Sequence, residues 1–297
     1  MKIIIIGSKG FIGQSAYKYF SNKNDVWGAD IIEDLSDNRY FKIDASNPDF
    51  EEIFKMQEFD VCINASGNGS VPISLNRPVF DFELNVMNTI KVLDAIRINN
   101  PRCKYINMSS AAVYGNPQVL PIKESLECKP LSPYGWHKLY GEQICKEYYY
   151  LFNLQTISLR LFSVYGEQLR KQLFWDIYQK TLRSNEIELF GSGKETRDFI
   201  YIDDLLEAIH HVILKGLFNG EAINVASGIE TTIASASKIF CQEINPDIRL
   251  SFNKIVKPGD PLNWKADISI LQSFGFTSKT DIREGFKNTV KWLKENK

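Results

Sequence analysis

A phenol and an ammonium stand at i and i+4 in Tyr134-Gly135-Trp136-His137-Lys138, near the start of a helical stretch. That spacing puts both side chains on one helix face. A free tyrosine, with a pKa near 10, is a poor acid or base at neutral pH. Lowering it by three units takes only about 4 kcal/mol, which nearby positive charge can supply. Such a pair can exchange a proton with a substrate hydroxyl. Tyr19 and Lys23 repeat the spacing at the end of an earlier helix, but they have no companions and read as solvated surface. Tyr134 has companions. Met108-Ser109-Ser110-Ala111-Ala112-Val113-Tyr114-Gly115 ends a strand, and open α/β sheets bind ligands at the C-terminal ends of their strands. A hydroxyl there can hydrogen-bond a substrate oxygen; a loop cap is the other reading of Ser109-Ser110.

A second constellation lies at the N-terminus. Gly7-Ser8-Lys9-Gly10-Phe11-Ile12-Gly13 follows the β-branched run Lys2–Ile6 and opens a helix. Glycines there allow a tight turn and bring backbone N–H groups close to a pyrophosphate, with the helix N-terminus adding positive potential. Dinucleotide binding is the chemistry this predicts. Asp30 closes the second strand, where an acid accepts hydrogen bonds from the two ribose hydroxyls and repels a 2′-phosphate. Ile31 and Ile32 follow it, with no arginine to welcome such a phosphate, so the cofactor is expected to be NAD. Asp44, after the third strand, is placed to meet the adenine amino group. Lys138 could also hold the nicotinamide ribose.

The elements that must position these groups alternate between strand and helix. Strands are expected at Lys2–Ile6, Asp25–Asp30, Tyr40–Ile43, Asp60–Ala65, Lys104–Met108 and Thr156–Leu161. Long helices are expected over Pro78–Asn99 and Pro133–Phe152. This is the pattern of an α/β, Rossmann-type, doubly wound parallel sheet. It is expected to fill residues 1–163 and to carry Ser110, Tyr134 and Lys138. After Ser163, Gly and Pro interrupt the pattern more often, so residues 164–297 are expected to form mainly a smaller α/β substrate lobe.

Bulk properties exclude several classes. The chain has 297 residues, 44% hydrophobic and 24% charged, with 35 Lys+Arg against 36 Asp+Glu. Near-zero net charge without a basic stretch disfavours a nucleic-acid partner. Five widely spaced cysteines lack any Cys-x-x-Cys and read as reduced thiols of a cytoplasmic protein. Three histidines show no metal-ligand spacing, so no metal is expected. No apolar run approaches the ~20 residues of a membrane helix.

Taken in order, the glycine turn, Asp30, Asn85 in Asn85-Val86-Met87-Asn88-Thr89, the Ser110–Gly115 segment and Tyr134-x-x-x-Lys138 resemble the extended short-chain dehydrogenases/reductases of the NAD-dependent epimerase/dehydratase family. Arg160-Leu161-Phe162-Ser163-Val164-Tyr165-Gly166 is similar to a family segment with Ser163 in place of the usual Asn. Arg197-Asp198-Phe199-Ile200-Tyr201-Ile202-Asp203-Asp204 and Lys257-Pro258-Gly259-Asp260 resemble the nucleotide-sugar subgroup, with Lys257 where Arg is common.

The resemblance implies NAD contacts from Gly7, Gly10, Phe11, Ile12, Gly13, Asp30, Asp44, Ala45, Ala65, Ser66, Asn85 and Lys138. It implies nucleotide-sugar contacts from Ser163, Gln172, Arg197, Lys257, Asp260 and Trp264. Arg197 would meet the diphosphate, or else bridge to Asp198 or another carboxylate on the lobe surface. Trp264 would limit room for an N-acetyl group, favouring unacetylated UDP-hexoses. The resemblance also implies a homodimer built on the two long helices. A dehydratase would carry Asp-Glu after the catalytic hydroxyl; Ala111-Ala112 cannot transfer protons. The remaining readings are a 4-epimerase, which Asp30 favours, a 4-ketoreductase using the same Ser110, Tyr134 and Lys138, another sugar-nucleotide oxidoreductase, and a non-catalytic NAD-sensing protein.

Overall fold

The computed structural model describes residues 1–255, 259 and 261–296. Strands are β1 (Lys2–Ile6), β2 (Asp25–Asp30), β3 (Tyr40–Lys42), β4 (Val61–Asn64), β5 (Lys104–Ser110), β6 (Thr156–Leu161), β7 (Ser163–Tyr165), β8 (Glu186–Leu189), β9 (Thr196–Tyr201), β10 (Asn219–Val225), β11 (Glu230–Thr232) and β12 (Arg249–Phe252). Helices are α1 (Phe11–Ser21), α2 (Glu51–Met56), α3 (Val71–Asn76), α4 (Pro78–Phe82), α5 (Asn88–Asn99), α6 (Pro133–Phe152), α7 (Gln172–Thr181), α8 (Ile202–Lys215), α9 (Ile233–Ile244), α10 (Ser269–Ser273) and α11 (Ile282–Glu295).

Four successive isoleucines in β1 are fully buried, as a strand covered on both faces requires. Ile3 and Ile5 enter one hydrophobic layer and Ile4 and Ile6 the other. The central sheet has the order β10-β6-β5-β4-β1-β2-β3, and every pair in it is parallel. The chain winds outward from β1 through β2 to β3, then crosses back to β4. The crevice beyond the ends of β1 and β4 is therefore the switch point where such sheets hold ligands. The stretch expected as one helix over Pro78–Asn99 is interrupted. A wide π turn, Glu83–Met87, joins α4 to α5 and contains Asn85.

The seventh strand comes from far along the chain. After β6 the chain forms small sheets in the orders β11-β9-β7 and β12-β8, yet β10 returns to pair with β6 at the sheet edge. Asp198 organises the lobe: its buried carboxylate accepts from Ser227 N and Oγ, Gly228 N and Ala266 N. Burial raises its pKa to about 6 against those donors. Tyr19, expected at the surface, is half-buried and donates to Glu207 of α8 at 2.6 Å, tying α1 to α8. No described helix is long and apolar enough to cross a membrane.

Helix α6 starts on a Ser132 cap accepting from Gly135 N, with Pro133 in the first turn, and ends on left-handed Asn153. Beneath it lies a buried ion pair. Arg160 of β6 donates through Nε to Glu142 Oε1 at 3.0 Å and through Nη2 to Oε2 at 2.7 Å. Ser109 of β5 donates to the same carboxylate at 2.5 Å. Arg160 also donates to Tyr114, whose hydroxyl donates to Asn224 of β10. One network thus fixes α6 over β5, β6 and β10. Breaking a buried pair from one side strands a charge, at a cost of roughly 3–5 kcal/mol. Glu142→Ala is expected to lose about that much unfolding free energy in urea titrations; a loss under about 1 kcal/mol would contradict the network's role.

Candidate active site

The glycine turn crosses the top of β1 and β4. Gly7 adopts φ +81°, and a Cβ there would lie 2.7 Å from Ser66 N; one on Gly13 would collide with Gly7 O. Only glycine lets α1 approach the sheet this closely; within the turn, Gly7 N and Ser8 N donate to Ala29 O, Lys9 N to Asp30 and Gly10 N to Gly7 O. Gly10, Phe11 and Ile12 complete the turn and open α1, and Ala65 and Ser66 face it from the end of β4. Of the five buried polar side-chain atoms without a partner among the described residues, two belong to this region, Ser8 Oγ and Asn85 Oδ1. A dinucleotide lying over this turn fits the cradle and could engage them.

Asp30 ends β2 and accepts from Lys9 N at 2.9 Å and Ile32 N at 3.2 Å, which leaves lone pairs for ribose hydroxyls. The Lys9 ammonium is held by Asp34 rather than Asp30, so that charge is already matched. Asp44 and Ala45 are exposed past β3, and Asp44 caps a turn by accepting from Ser46.

The three candidate catalytic residues, Ser110, Tyr134 and Lys138, converge across α6 and β5. A Cβ on Gly135 would lie 2.7 Å from Ala112 O, so a glycine is what lets α6 press onto the turn after Ser110. Ser110 ends β5, accepts from Ala112 N and also hydrogen-bonds the Tyr134 phenol. The cap reading of this serine therefore holds, and its hydroxyl lies beside the Tyr134 phenol. Lys138 Nζ donates to Met108 O at 2.9 Å and sits 5.8 Å from the Tyr134 ring centroid. Burial raises the Tyr134 pKa, and the Ser110 hydrogen bond opposes the rise. Burial lowers Lys138 to about 8, helped by Lys171 and resisted by Asp81.

In the lobe, Trp264 is 8% exposed and donates through Nε1 to Gly115 O at 3.1 Å. Its ring packs on Phe162, and the Arg197 guanidinium lies 5.4 Å over it. Arg197 Nη1 donates to Thr196 O and Leu262 O, while Asp198 is engaged elsewhere, so the alternative bridge to Asp198 does not form. Leu262 N donates to Asn116 Oδ1, which docks this lobe segment on the loop after Ser110. Ser163 opens β7, and Gln172 opens α7 with φ +68°. Lys257 and Asp260 lie outside the described residues.

Three groups were not singled out from the sequence. Lys171, before α7, brings its ammonium to the cleft, 3.4 Å from where a Cβ on Gly69 would sit. Asp81 and His137 form a buried contact beside Lys138. The signal available was His137 itself, one of three histidines and inside the Tyr-x-x-x-Lys motif. Asp30 generates the test of the cradle. Asp30→Ala is expected to weaken NAD binding and narrow the preference over NADP, read by calorimetric titration of both. An unchanged affinity ratio would remove Asp30 from the ribose site.

Comparison with known proteins agrees with this geometry. The NAD dependent epimerase/dehydratase family model matches residues 3–226. A putative UDP-glucose 4-epimerase of Methanocaldococcus jannaschii is 30% identical, over 99% of each chain. Among solved structures, the UDP-N-acetylglucosamine 4-epimerase of Methanobrevibacter ruminantium superposes with TM-score 0.89 at 27% identity, covering 100% of this chain and 99% of that one. The UDP-glucuronic acid 4-epimerase of Bacillus cereus, in complex with UDP-glucuronic acid and NAD, gives 0.89 at 26%, covering 99% of each. With its glycine turn and its Ser110, Tyr134 and Lys138 embedded in a match of this extent, the chain belongs to the NAD dependent epimerase/dehydratase family of enzymes.

Proposed function

We infer that the chain is a nucleotide-sugar 4-epimerase whose substrates are UDP-hexoses. The observation that carries this is Ser110, Tyr134 and Lys138 converging at the end of β5 while the residues after Ser110 are Ala111 and Ala112. Proton exchange at one hydroxyl is provided for, but a second acid–base pair for eliminating water is missing from that position. NAD, when bound, supplies the hydride acceptor and donor. Tyr134 takes the proton of the C4 hydroxyl and, once the keto sugar has turned over so that hydride can return to the opposite face of C4, gives the proton back to the same oxygen, with Ser110 hydrogen-bonding that oxygen. The Lys138 ammonium, fixed by Met108 O, stabilises the phenolate form of Tyr134.

The sugar pocket supports a preference for unacetylated hexoses. Trp264 is buried and held by its bond to Gly115 O and by packing on Phe162, which supports a fixed wall where an N-acetyl group would need room. Lys171 favours a second reading, in which the hexose carries a carboxylate at C6. Its ammonium is partly desolvated, and its pKa is lowered by burial. A uronic acid would supply a counter-charge to this ammonium, and the similar Bacillus cereus structure is of a UDP-glucuronic acid 4-epimerase with UDP-glucuronic acid bound.

Tests follow from each part. The purified enzyme is expected to interconvert UDP-glucose and UDP-galactose, or UDP-glucuronate and its C4 epimer, without added reductant. A requirement for stoichiometric NADH would favour a ketoreductase instead. Turnover of UDP-N-acetylglucosamine as fast as UDP-glucose would defeat the Trp264 argument. Tyr134→Phe should lower kcat by about 10²–10⁴ with NAD binding nearly intact. Retention of more than about a tenth of wild-type kcat would remove Tyr134 as the proton shuttle.

The chain is also proposed to form a homodimer through its two long helical stretches. Val79, Met87, Trp136 and Tyr140 expose apolar surface there, and two-fold dimers are the commonest oligomers. Light scattering should give twice the chain mass at micromolar concentration; a monomer mass would contradict the proposal.

A further inference from the structure

Asp81 sits on α4 with its side chain wholly buried, where an unsatisfied carboxylate would be strongly unfavourable. Every contact it makes leads to the active site. Its Oδ1 accepts from Asn68 Nδ2 at 2.5 Å and from Asn85 Nδ2 at 3.1 Å. Its Oδ2 pairs with His137 Nδ1, on α6 between Tyr134 and Lys138. The His137 ring is 8% exposed and wedged edge-on against Phe82. Asn85 Nδ2 also donates to Asn68 O, so both hydrogens of that amide point toward the Asp81 side. Its carbonyl oxygen then faces the opposite way, without a partner among the described residues, close enough to Gly67 that a Cβ there would lie 2.5 Å from it. Gly67 follows the Ala65-Ser66 segment that closes on the glycine turn. Asn85 itself lies in the π turn, a widened helical geometry that recurs at functional sites.

We propose that Asp81, anchored to the catalytic helix through His137, is a positioning residue. It orients the Asn85 amide so that its oxygen is presented to the cofactor, and it places a negative charge beside Tyr134 and Lys138. This rests on the reading of Tyr134 and Lys138 as the proton-handling pair. The charged groups facing that pair are Asp81 from α4 and Lys171 from the segment before α7, while Asp81 itself faces His137. The Asp81 charge acts on both members in one direction. It raises the pKa of Tyr134, and it raises that of Lys138 against the burial that brings it to about 8. Removing it lowers both. Activity needs Tyr134 able to give up its proton and Lys138 able to keep one. Both limbs of the kcat–pH profile then move toward lower pH, whereas a purely structural lesion lowers amplitude and Tm without displacing the limbs.

Asp81→Asn preserves volume and removes the charge, and the added amide turns a donor toward the Asn68 and Asn85 donors or toward His137. In the intact enzyme, the kcat–pH profile is expected to shift down by roughly half to one unit. NAD affinity, read by fluorescence titration without any sugar, is expected to weaken about three- to tenfold as Asn85 loses its orientation. The NAD readout does not depend on which sugar is turned over, so it survives failure of the UDP-hexose assignment. A variant with the wild-type pH profile and wild-type NAD affinity, whatever its Tm, overturns the proposal. Should Asp81→Asn not fold, a pair of His137 variants decides. His137→Asn keeps a donor near the Nδ1 position and His137→Leu removes it. The Leu variant is expected to bind NAD at least about threefold more weakly than the Asn variant; equal affinities overturn the proposal.

Discussion

The Glu142–Arg160 pair sets the height and register of the catalytic helix, and the site is assembled around it. Glu142 lies one turn beyond Lys138 on α6, and Arg160 projects from the strand beside β5. Their contact, shared with Ser109 and relayed through Tyr114 to Asn224, binds three strands and one helix into a single polar layer under the active site. Such a pair contributes little net stability, because desolvation offsets attraction. It contributes geometry. A helix sliding over an apolar sheet would meet a shallow energy surface, but one pinned by a fork of directional hydrogen bonds has one register. Alternation along β5 does the rest: Ser109 points down to the pair and Ser110 points up to Tyr134.

Above that layer, the site is a problem of balancing burial against charge. Tyr134 and Lys138 are both pushed by desolvation toward their neutral forms. Asp81 sustains the lysine charge from below, while Lys171 opposes it from across the cleft. Among the described residues, Asp81 and Lys171 are the charged neighbours that act on Lys138, so altering Asp81 changes the charge balance around it.

The sequence made the local parts legible. Four isoleucines followed by spaced glycines identify β1 and its turn, since burial on both faces and backbone approach leave direct marks on residue type. The phenol–ammonium pair was distinguishable from Tyr19 and Lys23 only through its companions, and even Tyr19 turned out to bridge two helices. What stayed hidden depends on residues far apart in the chain. The partners Asp81 and His137 are separated by 56 positions, and Trp264 and Gly115 by 149. The π turn was hidden for another reason: Pro78–Asn99 carries helical periodicity throughout, and nothing in apolar spacing separates a π turn from the α-helix around it. The role of Arg160 was masked by its place in a recognisable motif, where an arginine invites a ligand and the structure gives it a carboxylate.

The return of β10 to the edge of the sheet has a consequence for how this chain comes off the ribosome. β6 is buried along its whole length between β5 and β10, and β10 is not made until some sixty residues of the second lobe have already emerged. Until then the nascent half-sheet carries an uncapped hydrophobic edge, the kind of surface that recruits a neighbouring strand from another molecule. The cofactor half is therefore not a separable unit that folds first and waits. The two halves share one sheet, and its edge at β6 is covered only once β10 has paired there.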